Sequence, residues 1–220
     1  MRDADLIARG AAIARSPLKR AFDIAFAAAG LIAVSPLALL SAVAIRVDSR
    51  GPIFYTQPRS GRRGRPFTAW KFRSMTADAD RHGARQAVAG DSRVTRVGRV
   101  LRATALDEAP QLWNILRGDM SVVGPRALRP GEIEAGDGPR SRDPLERIPG
   151  FDVRSSVRPG LTGIAQIYAR RDLPRRQKFR YDRLYLRRQS FWLDLRLVLQ
   201  SLTITLFGSW ERRGDRGGTH

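Results

Sequence analysis

The sequence predicts an α+β fold, predominantly helical and attached to a membrane from one side (monotopic), and three observations carry that reading. Residues 21–45 form a nearly charge-free apolar run interrupted by Ser35-Pro36. Basic residues flank this run on both sides. The rest of the chain contains only short strand-like stretches, bounded by Gly and Pro, against longer helix-like ones.

Composition narrows the chemistry. With 220 residues, 42% of them hydrophobic and 28% charged, the chain can bury a core, and wholesale disorder is excluded. It has no cysteine, and its two histidines are His82 and His220, so a disulfide scaffold, a thiolate zinc site, a cysteine nucleophile and a histidine triad are all disfavoured. Carboxylates, arginines and hydroxyls are left to act. A net charge of +19, from 40 Lys+Arg against 21 Asp+Glu, implies an anionic partner such as nucleic acid, phosphate-bearing substrates or anionic membrane lipids. Lys19, Lys71 and Lys178 are the only lysines, a skew that genome composition can explain without explaining the charge.

In chain order, residues 1–18 form an N-terminal cytoplasmic segment and residues 19–46 a re-entrant membrane helix. Asp23 is the only charge between Ala21 and Ile45. At ~1.5 Å per residue such a run could cross a hydrocarbon core of about 30 Å. Pro36 divides it, however, into pieces of 14 and 9 residues, each too short to cross alone. Residues 1–20 hold five cations and two aspartates, and residues 46–220 hold 35 cations and 18 acids, so both flanks favour the cytoplasmic side. A bent helix that enters and leaves one leaflet satisfies both demands; a single span is the second reading and a buried core helix the third.

Residues 47–210 form the cytoplasmic domain and 211–220 a polar tail. Gly51-Pro52 and Ser60-Gly61 bound a short strand at Ile53–Tyr55, and Phe67–Phe72 forms a second. Residues 76–100 read as loop and short helix, 128–148 as a mobile excursion, and 175–210 as helical.

The chemically suggestive stretch runs from Arg102 to Asp119. Thr104 and Asp107 have capping-box spacing, while Pro110 places the helix start nearer Leu106 or Asp107, and Gly118 marks its end. Either start puts Asp107 and Glu108 at a helix N-terminus, where the dipole favours anions. An ionised Asp there can act as nucleophile, and its neighbour can bind a divalent cation or handle a proton. By itself such a pair more often caps a helix. Cationic and Gly/Pro-rich runs accumulate around it: Lys71-Phe72-Arg73-Ser74-Met75, Val123-Gly124-Pro125-Arg126, and Arg158-Pro159-Gly160-Leu161-Thr162-Gly163-Ile164-Ala165-Gln166, followed by Tyr181-Asp182 and Tyr185. Arginines of this kind offer bidentate contacts to phosphate oxygens.

Taken together and in order, KRAFDIAFAAAGLIAVSPLALL, SRGPIFYTQPRSGRRGRPF, KFRSM, LDEAPQLWNILRGDMSVVGPR, RPGLTGIAQ and YDRLYL resemble the bacterial sugar transferases. These monotopic phosphoglycosyl transferases start exopolysaccharide, O-antigen lipopolysaccharide or glycoprotein glycan assembly. The resemblance runs from about Lys19 to Phe207. It implies a re-entrant helix bent at Ser35-Pro36 and an Asp-Glu dyad at Asp107-Glu108. It implies that Asp107 attacks the β-phosphate of a UDP-sugar and expels UMP, and that undecaprenyl phosphate then takes the phosphosugar. It also implies magnesium at Asp107 and Glu108, further substrate-binding residues at Lys71, Arg102, Arg126, Arg170 and Asp182, with Gln166 a weaker one, and a place on the cytoplasmic face of the inner membrane. Departures from the family pattern fall at Ala105, Ala109, Ala127 and Tyr168–Arg171.

A homo-oligomer is compatible with this reading. The rival class is a non-catalytic basic membrane-associated binding protein. No helix-turn-helix, RRM or OB pattern supports nucleic acid as its partner. A transferase using another lipid or donor is the enzymatic alternative.

Overall fold

Ser16-Pro17 separates the first two helices, because a residue before proline avoids the helical region. Ser16 is extended (φ −61°, ψ 119°). It ends helix α1 (Asp3–Arg15) and caps helix α2 (Pro17–Asp48), its hydroxyl accepting from the Lys19 amide at 3.3 Å. The structure, a computed structural model, describes residues 1–79, 91–135, 142–170 and 173–207.

Helix α2 runs continuously through Pro36, where the sequence reading divides the segment into two pieces. A residue at 36 with an amide hydrogen would donate to the Ile32 carbonyl. Proline cannot, and the Ser35 hydroxyl donates to that carbonyl instead, at 2.8 Å. The Ser-Pro pair thus carries its own repair. One face of α2 is covered: Asp23, Ala27 and Ile45 are buried, and Gly30 lies so close to helix α4 (Gln111–Arg117) that a Cβ there would sit 3.1 Å from Leu112 Cδ1. The other face leaves Ile32, Leu37, Leu39, Leu40, Val43 and Val47 exposed. Most of its apolar stretch is uncovered by the rest of the chain, so α2 is not the enclosed core helix of a globular domain.

The expected strands are present and longer than predicted. β1 (Phe54–Ser60) pairs antiparallel with β2 (Pro66–Phe72), from Phe54 opposite Phe72 to Ser60 opposite Pro66. Helix α3 (Arg96–Ala103) and α4 follow. β3 (Ser121–Val123) then runs parallel to β6 (Gly160–Thr162), while β4 (Ile133–Ala135) pairs with β5 (Arg142–Pro144). The β3–β6 crossing depends on glycine: a Cβ on Gly160 would lie 2.1 Å from the Gly124 amide nitrogen, and one on Gly163 2.3 Å from the Gly124 carbonyl oxygen.

Two expectations are corrected here. The 128–148 segment is not a free excursion, since Leu128, Leu145 and Ile148 are buried with Phe151 and Phe179; residues 136–141 lie outside the described residues. The helical 175–210 stretch is two helices, α7 (Arg175–Arg188) and α8 (Phe191–Phe207), parted at Gln189-Ser190, and the tail beyond Phe207 lies outside the described residues. Short helices α5 (Phe151–Ser155) and α6 (Ile164–Tyr168) flank β6. Leu112, Ile115, Val122, Val123, Val153, Tyr185, Leu186 and Leu197 form the main core.

A buried charge network joins α2 to this core. Lys19 Nζ lies 3.0 Å from Asp23 Oδ1 and 3.1 Å from Asp194 Oδ2, and all three residues are buried. Asp23 Oδ1 also accepts from the Ser121 hydroxyl and the Val122 amide, fastening the helix to β3. Removing the one cation strands two buried carboxylates. Lys19→Met should therefore cost about 3–5 kcal/mol. At about 2–4 °C per kcal/mol, the thermal midpoint in detergent should fall by roughly 6–20 °C; an unchanged midpoint would show that the network contributes nothing.

Candidate active site

The carboxylate pair does not open a helix as the capping-box spacing predicts. Thr104 ends α3, its hydroxyl donating back to the Val100 carbonyl at 2.9 Å. Ala105 then adopts a left-handed conformation (φ 57°, ψ 13°), and Leu106–Glu108 form a single 3-10 turn. Pro110 caps α4, so the pair precedes that helix rather than occupying its first turn. A left-handed alanine costs about 1–2 kcal/mol, and strain of this kind concentrates at functional positions.

Asn114 sets the distance between this turn and the strand bearing Lys71. Fully buried in α4, it donates from Nδ2 to the Thr68 carbonyl at 2.7 Å and accepts the Trp70 amide on Oδ1 at 3.1 Å. The edge of β2 is thereby locked to α4, and Lys71 is carried to the dyad. Lys71 Nζ donates to Glu108 Oε1 at 2.5 Å, and Arg126 Nη2 donates to the same oxygen at 2.9 Å.

The two carboxylates are differentiated by these contacts. Burial pushes the Glu108 carboxyl up, but the adjacent Arg126 and Lys71 charges outweigh it and hold the group well below the usual carboxylate range. Asp107 accepts no hydrogen bond among the described residues. Burial raises its carboxyl to about 6; the Glu108 charge adds to that, and Lys71, Arg102 and Arg126 oppose it. One carboxylate is tied down by cations, and the other is left facing them.

Arg126 is 46% exposed at its side chain, so it retains donors for an anion. Arg102 lies in the last turn of α3 and adds positive potential at Asp107. A further cationic group missed by sequence reading is Arg59 of β1, which donates to the Ala127 carbonyl at 3.1 Å. Burial, then Arg126 and Arg129, lower its guanidinium to about 10. Nearby, Glu132 pairs with Arg175 at 3.0 Å.

Three further predicted residues have the following surroundings. Asp182 is buried in α7, and among the described residues its polar partner is Arg154, whose Nε donates to Oδ2 at 2.8 Å. Gln166 of α6 lies beneath the Val-Gly-Pro-Arg turn, with Nε2 3.5 Å from the Gly124 carbonyl and a buried Oε1 that has no partner among the described residues. Arg170 is exposed beyond α6, next to residues 171–172, which lie outside the described residues.

Several motif arginines close helix ends instead of facing the dyad. Arg20 donates to the Ile115 and Leu116 carbonyls at the end of α4, at 2.6 and 2.7 Å. Arg73 donates to the Ser49 carbonyl just beyond α2 at 2.6 Å, and Arg158 to Gly118 and Ala14 at 2.9 Å each. Cations suit these sites because the last carbonyls of a helix carry partial negative charge.

For a hard cation, the donor set is Asp107 with Oε2 of Glu108, the oxygen that Lys71 and Arg126 leave. No group of three potential ligating side chains occurs among the described residues. A pair of carboxylate donors is a set that magnesium can take, completing its shell with water and phosphate oxygens.

The sequence profile of the bacterial sugar transferase family matches residues 14–208. A UDP-N-acetylgalactosamine-undecaprenyl-phosphate N-acetylgalactosaminephosphotransferase of Aeromonas hydrophila is 39% identical over 198 residues, covering 89% of this chain and 45% of the relative. An undecaprenyl-phosphate glucose phosphotransferase of Komagataeibacter xylinus is 43% identical over 197 residues, covering 86% and 36%. The exopolysaccharide production protein PSS of Rhizobium leguminosarum bv. phaseoli is 38% identical over 195 residues, covering 86% and 95%. The chain spans less than half the length of the first two relatives and nearly all of the third.

Proposed function

Since the chain belongs to the bacterial sugar transferase family, we propose that it moves a sugar-1-phosphate from a UDP-sugar to undecaprenyl phosphate, initiating exopolysaccharide, O-antigen or related glycan synthesis at the cytoplasmic face of the inner membrane. The observation that carries this reading is the asymmetry of the dyad. Glu108 is held by Lys71 and Arg126, while Asp107 receives no hydrogen bond among the described residues and faces the same cations.

Ionised Asp107 attacks the β-phosphorus of the donor. A carboxylate–phosphorus bond forms, the bond to the bridging oxygen breaks, and UMP leaves with that oxygen and its electron pair. A phosphate oxygen of undecaprenyl phosphate then attacks the same phosphorus and Asp107 departs as carboxylate, leaving the sugar on a polyprenyl diphosphate. Arg126 and Lys71 stabilise charge on the phosphoryl oxygens, and Lys71, then Arg102, favour the ionised form of Asp107 against its burial. Magnesium at Asp107 and Glu108 would supply charge neutralisation for the diphosphate. Arg126 and Lys71 hold the Glu108 carboxyl well below the usual range, which makes it a poor proton acceptor and donor and favours a holding and metal-binding role.

The test is UMP release by detergent-solubilised protein offered a panel of UDP-sugars. Salt-sensitive nucleic-acid binding with no turnover of any donor would support the non-catalytic rival instead.

The exposed apolar face of α2 supports insertion in lipid, and the basic flanks support re-entrant attachment with both termini cytoplasmic. Because the chain is cysteine-free, Ala4→Cys and Thr219→Cys can be labelled singly in intact cells. Both should resist membrane-impermeant thiol reagents, and periplasmic labelling of either would reject this topology.

A further inference from the structure

Four successive carbonyls behind Arg126 each accept a hydrogen bond from a different residue outside the turn. The Pro125 carbonyl takes the Gly160 amide at 2.9 Å, and that of Arg126 takes Arg154 Nη2 at 2.5 Å. The Ala127 carbonyl takes Arg59 Nη1 at 3.1 Å, and that of Leu128 the Ser60 amide at 2.8 Å. Two of these donors are backbone amides placed by β-bridges. The other two are guanidinium groups, and their placement needs its own support.

Arg154 has that support. Its side chain is 6% exposed, Nε donates to Asp182 Oδ2 at 2.8 Å, and its guanidinium carbon lies 4.8 Å from the centroid of the Phe179 ring. A guanidinium this buried is tolerable only with its charge paired, and Asp182 supplies the pair. Asp182 has no other polar partner among the described residues.

We propose that Asp182 and Arg154 are positioning residues for Arg126: Asp182 orients Arg154, which holds the Arg126 backbone so that the Arg126 side chain reaches Glu108 and the donor phosphate. This replaces the substrate contact that the family resemblance suggests for Asp182. The long Arg126 side chain can meet a phosphate in a fixed geometry only if its backbone is fixed, since a displacement near 1 Å costs about a hundredfold in a preorganised site.

The proposal rests on the transferase reading for its kinetic arm and stands apart from it for its structural arm. Kinetically, Asp182→Asn should lower kcat/KM for UMP release about tenfold in the wild-type background and less than twofold in an Arg126→Ala background, because its effect passes through Arg126. A tenfold loss in both backgrounds would overturn the proposal in favour of direct contact or general destabilisation, and no loss in either would overturn it as well. Structurally, hydrogen–deuterium exchange of the 121–130 segment, measured without substrate, should accelerate in Asp182→Asn and return toward wild type in Asp182→Glu. Unchanged exchange in Asp182→Asn would overturn the proposal. Failure of the wild-type protein to release UMP from any UDP-sugar would count against the functional reading alone, because the exchange arm needs no donor.

Discussion

Asp107→Asn is expected to abolish sugar-phosphate transfer, by roughly 10⁴-fold or more, the scale on which loss of a covalent nucleophile acts. An amide oxygen of similar shape cannot displace UMP. With UDP-sugar alone, the unsubstituted protein should release UMP in a burst of about one per active molecule and retain the phosphosugar on Asp107, where mass spectrometry of the quenched protein would find it. The variant should give neither. The acid side of the rate profile follows from the environment of the same group. Burial raises its carboxyl to about 6, and only the ionised form attacks, so activity should rise with pH and level off above about 6. A bound cation would move that limb lower, since positive charge favours the carboxylate. UMP release that begins only when polyprenyl phosphate is added, with no adduct at any time, would replace covalent catalysis with direct transfer in a ternary complex.

Much of the fold was legible because its signals are local. Gly118 and the bounded aromatic runs of β1 and β2 act through φ/ψ preference and alternation, which a linear string carries, whereas the helix break at Ser16-Pro17 was not read from it. That Lys71 and Arg126 belong near the dyad was legible through motif order, although Lys71, Glu108 and Arg126 lie far apart in the chain; that both hold Glu108 was not. What the sequence could not show is which of 37 arginines meet substrate. Arg20, Arg73 and Arg158 close helix ends, while Arg126 faces Glu108, and the residue type is the same in each case. Part of the +19 charge is therefore helix chemistry rather than ligand chemistry. Asn114 left a faint mark, as the lone amide within Leu112-Trp113-Asn114-Ile115-Leu116, and Arg154 left none in its polar run. The capping-box spacing at Thr104 misled because a left-handed alanine redirected the chain. Alanine carries no sequence signal for that conformation; glycine or asparagine would have.

Glu108→Gln should be the second most damaging change, lowering the plateau rate about 10²–10⁴-fold, in line with two charge-assisted bonds of about 1.5–3 kcal/mol each. Its oxygen Oε1 collects Lys71 at 2.5 Å and Arg126 at 2.9 Å, and a neutral amide would leave both cations loosely held. The direction of the accompanying pH shift separates holding from proton transfer. Glu108 raises the Asp107 carboxyl through its negative charge, so removing that charge should move the acid limb to lower pH even as the rate falls. Lys71→Met removes a charge that lowers the Asp107 carboxyl and should move the same limb to higher pH. The two variants should both be slow and should shift in opposite directions. A proton-donating Glu108 would give the unsubstituted protein a descending basic limb that Glu108→Gln loses. With its carboxyl held far below the working range by Arg126 and Lys71, Glu108 has no proton to give at neutral pH, and no such limb is expected from it. Loss of a basic limb in Glu108→Gln, or an acid limb that moves upward, would assign Glu108 to proton transfer and remove the holding role.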